Sequence, residues 1–160
     1  MRKLFSALAL CLWALGAAAD PWEDATAAYN RGDYAAALRL VRPLADQGDS
    51  QAQYNLGVLY HNGKGVPQDY SEAVKWYRKA AGQGVDAAQY NLGLMYSDGQ
   101  GVPQDYVLAH MWENLAAARA SDKEARDKAT KNRDMVASKM TAAQVAEAQK
   151  LAREWKPAKP

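Results

Sequence analysis

A repeat with a period of 36 residues constrains this 160-residue chain more than any other feature. The segment 53–70, QYNLGVLYHNGKGVPQDY, returns at 89–106 as QYNLGLMYSDGQGVPQDY, with 13 of 18 positions identical. Self-similarity at a fixed period of this size indicates stacked structural units rather than one undivided core. A third, degenerate copy precedes these two. We therefore divide residues 20–120 into copies at about 21–49, 50–84 and 86–120.

Each copy has the pattern of two helices joined by a loop. Ala52, Leu56 and Tyr60 recur at intervals of four, which is the apolar stripe of an amphipathic helix. The Gly-x-Gly-Val-Pro loop ends this helix, because glycine permits left-handed backbone and proline cannot continue a helix. Asp69 then stands where an N-cap is expected. The spacing predicts a second helix over 70–81.

A helix pair of this size cannot bury its apolar stripe alone, so the copies are expected to stack into an α-solenoid. Two glycines in the middle of first helices, Gly57 and Gly93, agree with this expectation. A mid-helix glycine costs about 1 kcal/mol relative to alanine. A close approach of Trp76 or Tyr77 to that backbone would explain why glycine stands there.

The two full copies resemble the Sel-one-like repeat, a relative of the tetratricopeptide repeat. The resemblance rests on Ala-x-x-Asn-Leu-Gly-x-x-Tyr, then Gly-x-Gly-Val-Pro-Gln-Asp-Tyr, then Ala-x-x-Trp and Ala-Ala, in 52–81 and 88–117. It implies an all-α fold, a right-handed superhelix of antiparallel helix pairs, with a role as adaptor or scaffold and no catalytic residue. The structural repeat positions are Leu56, Gly57, Tyr60, Gly63, Gly65, Asp69, Trp76, Leu92, Gly93, Tyr96, Gly99, Gly101, Asp105 and Trp112.

Residues 121–156 depart from the repeat. Ser121 with Glu124, and Thr141 with Gln144, form capping-box patterns that open two further helices, at about 122–140 and 142–155. Asp69 with Glu72 has the same pattern inside the repeat. Because a solenoid needs a terminal cover with a polar outer side, we interpret the two helices as a C-terminal helical hairpin cap. Residues 157–160 are expected to fray.

The first nineteen residues have the layout of a secretory signal peptide. Basic Arg2 and Lys3 precede an apolar run over 4–15 and a stretch of alanines. An uncleaved membrane anchor is the alternative, but the apolar segment 4–19 is shorter than the roughly 20 residues that a spanning helix needs. We expect cleavage after Ala19 and export of the protein, to the periplasm or beyond it as a secreted protein.

Composition narrows the classes of function. Cys11 is the only cysteine and lies in the signal segment, so the mature chain would have neither a disulfide nor a cysteine metal site. Residues 121–160 carry 10 basic and 6 acidic side chains, and this small positive excess is spread along the segment. Binding of nucleic acid needs basic residues clustered on one face, so nucleic acid is a poor candidate partner. We expect no metal, no cofactor and no stable membrane insertion after signal cleavage.

Two histidines are the first residues to test for catalysis. His61 is matched by Ser97 in the next copy, and His110 by Val74 in the preceding one, so neither position requires an imidazole. Asp69 and Asp105 are sufficiently explained as helix caps. The sequence predicts that the protein is not an enzyme.

The remaining functional surface is the concave face of the first helices. Two tyrosines one repeat apart would anchor a peptide or a partner helix, and packing between adjacent first helices explains them equally well. We expect a protein or peptide partner; the alternatives are an accessory module of a cell-envelope enzyme and weak self-association. The candidate partner-binding residues are Gln51, Tyr54, Val58, His61, Tyr90, Leu94 and Ser97.

Overall fold

The computed structural model describes residues 20–158, which form eight helices and no strand. The helices are α1 Pro21–Asn30, α2 Tyr34–Asp46, α3 Ser50–Asn62, α4 Tyr70–Gly82, α5 Asp86–Asp98, α6 Tyr106–Arg119, α7 Lys123–Ala137 and α8 Ala142–Glu154. The prediction of an all-α fold is confirmed. The signal peptide predicted at 1–19 lies outside the described residues, as do 159–160.

The helices pack in chain order as a series of pairs. Within each repeat the first helix packs on the second, as α1 on α2, α3 on α4 and α5 on α6. Between repeats the second helix packs on the next first helix, as α2 on α3 and α4 on α5. The short loops make consecutive helices run antiparallel. This serial packing is the predicted α-solenoid.

Aspartate side chains begin most of the helices. Each accepts a hydrogen bond from a backbone amide of the first turn, which would otherwise lack a partner. In the second helix of each full repeat the acceptors are Asp69, for Glu72 N at 3.0 Å, and Asp105, for Leu108 N at 3.0 Å. Helix α5 differs, because its N-cap is Val85 and no side chain caps it. The remaining aspartate caps are Asp20, Asp33, Asp49 and Asp122.

The capping boxes form only in part. At Thr141 both bonds are present: Gln144 N donates to the Thr141 hydroxyl oxygen at 3.2 Å, and Thr141 N donates to the Gln144 side-chain oxygen at 2.8 Å. At Asp69 only the first bond forms, because the Glu72 carboxylate pairs with Lys75 instead. One half of that predicted box is therefore missing.

The box predicted at Ser121 is wrong by one residue. Helix α7 is capped by Asp122, whose carboxylate accepts a hydrogen bond from Ala125 N at 2.8 Å. A carboxylate adds a favourable charge at the helix N-terminus, which a serine hydroxyl does not. The helix consequently begins at Lys123.

The mid-helix glycines allow close packing within each repeat. A Cβ at Gly57 would lie 2.7 Å from two ring carbons of Tyr77, so Tyr77 rather than Trp76 makes the expected approach. At Gly93 the neighbour is Glu113, whose Cγ would lie 2.8 Å from the added Cβ. Close packing of α3 on α4 and of α5 on α6 thus depends on these glycines.

Repeated polar contacts join one repeat to the next. An arginine on each second helix donates to a tyrosine hydroxyl on the following first helix, and a glutamine on that first helix donates back to a carbonyl. Both contacts occur twice at the 36-residue spacing, which shows that the interface repeats with the sequence. The pairs are Arg42 to Tyr60 at 2.5 Å, Arg78 to Tyr96 at 2.6 Å, Gln53 to Ala45 O at 3.2 Å and Gln89 to Ala81 O at 3.2 Å.

The glycine loops also contact the preceding repeat. A Cβ at Gly65 would lie 2.5 Å from the carbonyl oxygen of Tyr34, and one at Gly101 would lie 2.4 Å from that of Tyr70. Each loop is therefore seated on the first turn of the preceding second helix. Its second glycine is required by this contact as well as by a positive φ.

Two helices close the C-terminal end of the stack. Both α7 and α8 pack on α6, and they contact α6 far more extensively than each other, so the cap is two separate covers rather than a self-packed hairpin. The tail after α8 lies against the repeats, because Ala158 N donates to Gly82 O at 2.7 Å. This segment belongs to the tail that was expected to fray.

Candidate binding groove

A groove runs across the first helices of the repeats and ends on α7. It consists of two pockets that share Tyr54 as a common wall. The apolar pocket, a cavity of about 310 Å³, is lined by Trp22, Ala25, Thr26, Tyr29, Ala37, Val41, Tyr54, Asn55, Val58 and Leu59. The acidic pocket, of about 540 Å³, is lined by Tyr54, Asp86, Ala87, Tyr90, Asn91, Ala116, Ala120, Ser121, Asp122, Glu124, Ala125, Lys128 and Ala129.

The apolar pocket forms where α1, α2 and α3 meet. Trp22 and Tyr29 of α1 face Val58 and Leu59 of α3 across it. Its lining holds no carboxylate, lysine, arginine or histidine. Tyr29 is 37% exposed, whereas the other tyrosine and tryptophan side chains of residues 20–158 are buried or half-buried. The pocket therefore suits an apolar side chain of a partner.

Tyr54 is fixed in place between the pockets. Its ring lies 6.0 Å from that of Tyr77, centroid to centroid, at an interplanar angle of 36°. Burial raises the pKa of the Tyr54 hydroxyl; a hydrogen bond with Asn91 opposes this rise, and the negative charge of Asp86 adds to it. The half-buried ring therefore offers a rigid, neutral surface to both pockets.

The acidic pocket forms where α5, α6 and the start of α7 meet. Tyr90 packs on the buried alanines 116, 117 and 129 and exposes the rest of its ring to the pocket. The charged side chains of the lining are Asp86, Asp122, Glu124 and Lys128, and the last two form an ion pair of 2.6 Å. The pocket therefore carries an excess of negative charge.

The predicted candidate residues occupy different places. Tyr54, Val58 and Tyr90 line the groove. His61 instead packs edge-on against the ring of Tyr70 on α4, at 5.3 Å. Three others line neither pocket: Gln51, which is exposed and hydrogen-bonds Asn55, together with Leu94 and Ser97.

Sequence reasoning missed the contribution of α1. The loop after α1 is four residues shorter than the loop after α3, so the 36-residue spacing does not bring equivalent positions together. When the two helices are aligned by their last residues, Asn30 and Asn62, Trp22 occupies the position equivalent to Tyr54. The groove thus has an aromatic side chain at the same position of three first helices, Trp22, Tyr54 and Tyr90.

Neither histidine lies in the groove lining. Burial lowers the pKa of His61 and, together with the charge of Arg133, that of His110, although Asp134 opposes the shift at His110. His110 is 3% exposed, a core position rather than a surface one. Within residues 20–158 no group of three or more His, Cys, Asp or Glu side chains is arranged to hold a metal ion.

The fold and the groove define an α-solenoid repeat protein whose first helices form a continuous recessed face. Comparison with known proteins agrees: the Sel1 repeat model matches residues 50–85 and 86–121. A crystal structure of a Sel1 repeat protein from Oxalobacter formigenes is 32% identical, covers 69% of this chain and 97% of its own, and superposes with a TM-score of 0.55. The chain belongs to the Sel1 repeat family.

Other relatives are larger proteins. A protective antigen of uropathogenic Escherichia coli strains, which displays an SLR fold, is 36% identical over 86% of this chain, with a TM-score of 0.75. This chain spans 30% of that structure. The rat protein DAP3-binding cell death enhancer 1 is 49% identical over 38 residues, and its mouse counterpart 48%, over 8% of their length in each case. The predicted family resemblance is confirmed.

Proposed function

We propose that this protein is an exported adaptor that binds a segment of a partner protein in the groove. Sel1 repeats generally mediate interactions between proteins. The observation that carries the proposal is the pair of adjoining pockets with Tyr54 between them. Recessed pockets walled by rigid aromatic side chains are typical of sites where a few side chains supply most of the binding energy.

The size of the groove favours a polypeptide over a small metabolite. Small-molecule sites are mostly enclosed cavities with a few convergent polar groups. Here two open pockets lie side by side on successive helices, which suits a chain that crosses them. The helices that form the groove are held by repeated interhelical contacts, so we expect little rearrangement on binding.

We further propose a non-catalytic role. Members of the Sel1 repeat family are generally non-catalytic repeat proteins. The groove lining contains carboxylates, tyrosines, one lysine and the hydroxyl groups of Thr26 and Ser121, and neither His61 nor His110 is part of it. Neither hydroxyl lies beside a histidine, so the pair of nucleophile and imidazole that marks many active sites is not part of this groove.

Crosslinking tests the groove. Native periplasmic and extracellular fractions are crosslinked to wild-type protein and to the double variant Tyr54→Ala/Tyr90→Ala, and captured proteins are identified by mass spectrometry. We expect at least one partner that wild type captures and the double variant loses. Tyr106→Ala is the matched control, because it removes a half-buried tyrosine of α6 that lines neither pocket.

Equal helicity of wild type and the two variants is checked first by circular dichroism. A partner that the double variant retains would place the interface elsewhere and refute the groove. Concentration-dependent light scattering without any captured partner would support self-association instead.

Export is tested separately. Among residues 20–158 no helix is both long and apolar enough to cross a membrane. We expect the chain recovered from the periplasm or the medium to have lost residues 1–19, with Asp20 at its N-terminus. Intact mass spectrometry measures this. A full-length chain recovered from the cytosol would contradict export.

A further inference from the structure

The two pockets of the groove differ in charge. The apolar pocket has no side chain that is charged at neutral pH. The acidic pocket has three carboxylates and a single lysine, and that lysine already pairs with Glu124. A ligand that spans both pockets therefore meets an uncharged lining at one end, with the Lys64 ammonium beside Tyr29, and a negative lining at the other.

Two of the carboxylates form no ion pair and are satisfied by backbone amides. Asp86 accepts a hydrogen bond from Ala87 N at 2.8 Å, and Asp122 accepts one from Ala125 N at 2.8 Å. Neither forms an ion pair with a side chain of residues 20–158. Three carboxylates and one lysine leave this recess with an excess of negative charge, which attracts a cation from a ligand.

Tyrosine rings next to these carboxylates add a second attraction for a cation. Tyr54 and Tyr90 both line the acidic pocket. Elsewhere in this chain, cationic side chains stack on tyrosines in the same way: Arg78 lies 5.5 Å from the ring centroid of Tyr96. The electron-rich face of an aromatic ring attracts ammonium and guanidinium groups.

The spacing of the pockets selects the ligand further. The two pockets share Tyr54 as a wall, so a short segment reaches both of them. In a polyproline II segment each residue advances about 3.1 Å and the side chains repeat every three residues, so side chains i and i+3 point the same way about 9 Å apart. Such a segment could place one side chain in each pocket.

We propose that the groove binds an extended segment of a partner protein in which an apolar side chain and a lysine or arginine stand three residues apart. The apolar side chain fills the pocket between α1 and α3, and the cation lies between Asp86, Asp122 and the tyrosine rings. This inference rests on the proposed function, since it names the chemistry of the segment that the adaptor would bind.

Synthetic peptides test the proposal against protein expressed from the full-length sequence. The probes are short proline- and alanine-rich peptides with Leu and Arg three residues apart, in both orders. Comparison peptides carry Glu in place of Arg, Ser in place of Leu, or a spacing of one or five residues. Affinity is measured by isothermal titration calorimetry at low and at high salt.

The variant Asp86→Asn/Asp122→Asn removes both charges and keeps side chains that can cap a helix. Its matched control, Asp46→Asn/Glu147→Gln, makes the same change in charge at exposed positions outside the groove. We expect the Leu and Arg peptide to bind wild type best, to bind the groove variant about tenfold more weakly, and to weaken with salt. The control should bind like wild type.

Several outcomes would overturn the proposal. Equal affinity for the Arg and Glu peptides would do so, as would equal losses in the groove variant and its control, or no peptide binding at all. If crosslinked partner capture still depends on Tyr54 and Tyr90 in any of these cases, the adaptor function stands and only the ligand chemistry is wrong. Loss of both results would refute both proposals.

Discussion

Tyr77 and Glu113 hold the same position in successive repeats, and each lies against the mid-helix glycine of its own repeat. Both are almost fully buried, at 1% exposure. Replacing an aromatic ring by a carboxyl group at this position puts an ionisable group in the core. Burial raises the pKa of Glu113 to about 9, although a hydrogen bond with Asn132 opposes the shift. At neutral pH this side chain is therefore protonated in the folded protein.

Substitution of Gly57 tests the close packing of α3 on α4. We expect Gly57→Ala to lower the free energy of unfolding by roughly 1–3 kcal/mol, because the new methyl group would overlap the buried Tyr77 ring. We expect this loss of stability although alanine favours the helix more than glycine does. The midpoint of urea unfolding measures the change.

Gly82→Ala is the control for that substitution. Gly82 ends helix α4, and a Cβ added there would have no atom within 4 Å. The free energy of unfolding of the Gly82→Ala variant should therefore be unchanged or slightly higher than that of wild type. If Gly57→Ala proved as stable as Gly82→Ala, the proposed packing restriction would be wrong.

The raised pKa of the buried Glu113 carboxyl group should make the stability of the protein depend on pH. Its pKa is about 9 when folded and near the ordinary 4.5 when unfolded, so folding favours the protonated form. The contribution of protonated Glu113 to the free energy of unfolding is fully present below about pH 4.5. This contribution is lost as the pH rises towards about 9, and the loss is on the order of a few kcal/mol. Glu113→Gln should remove this slope and be more stable than wild type at about pH 8.

Urea unfolding at several pH values measures the slope. Glu147→Gln, a substitution of an exposed glutamate on α8, serves as the control and should keep the dependence of wild type. A Glu113→Gln variant with the wild-type slope would show that another group titrates instead.

At the scale of the element, each glycine loop joins two repeats rather than only two helices. The Gly-x-Gly-Val-Pro loop follows a first helix, but it lies on the first turn of the preceding second helix, as Gly65 does at Tyr34. The degenerate first copy has only a three-residue connection between α1 and α2 and no such loop. No repeat precedes that copy among the described residues, so the contact would have no counterpart there.

Gly101→Ala should disrupt the contact between two repeats. The residue has φ +69°, and its Cβ would lie 2.4 Å from the carbonyl oxygen of Tyr70. Gly32→Ala is a matched control, with φ +80° and no atom within 4 Å. Both pay the cost of left-handed backbone, roughly 1–2 kcal/mol. Only Gly101→Ala also separates the repeats, and its urea midpoint should fall further.

Equal losses in the two glycine variants would mean that backbone conformation alone accounts for the effect. The loop would then connect helices without helping to hold the repeats together.

At the scale of the whole molecule, contacts are made between neighbours along the stack. Helix α1 packs mainly on α2, whereas α3, α4 and α5 each pack on a helix at either side. Helix α6 is covered further by α7 and α8. Stability in such a stack is a sum of local terms, so its ends open more readily than its centre.

Hydrogen exchange measures this gradient directly. We expect amides of α3 to α6 to exchange most slowly and those of α1 to exchange fastest among the helices. A ligand that fills the apolar pocket should slow exchange in α1, because Trp22 and Tyr29 form one wall of it. Uniform exchange along the chain would contradict the view of a stack stabilised by neighbours.

The repeat, the helix pairs and most helix starts could be predicted from the amino-acid sequence. Asp69, Asp105 and Thr141 act on amides within three residues, and the stripe through Ala52 and Leu56 follows from helical periodicity. These are local properties, and a local pattern is enough to predict them. The resemblance of the two full copies to a known repeat then led to the correct fold class.

The composition of the groove could not be predicted from the sequence, because it depends on how the helices pack. Tyr54 and Val58 were predicted to lie in it, but Trp22 joins them because a short loop shifts α1, and Asp122 joins Asp86 because α7 packs beside α5 on α6. These pairs are more than 30 residues apart along the chain. A pocket between helices depends on how the helices are placed, and no pattern within one helix carries that information.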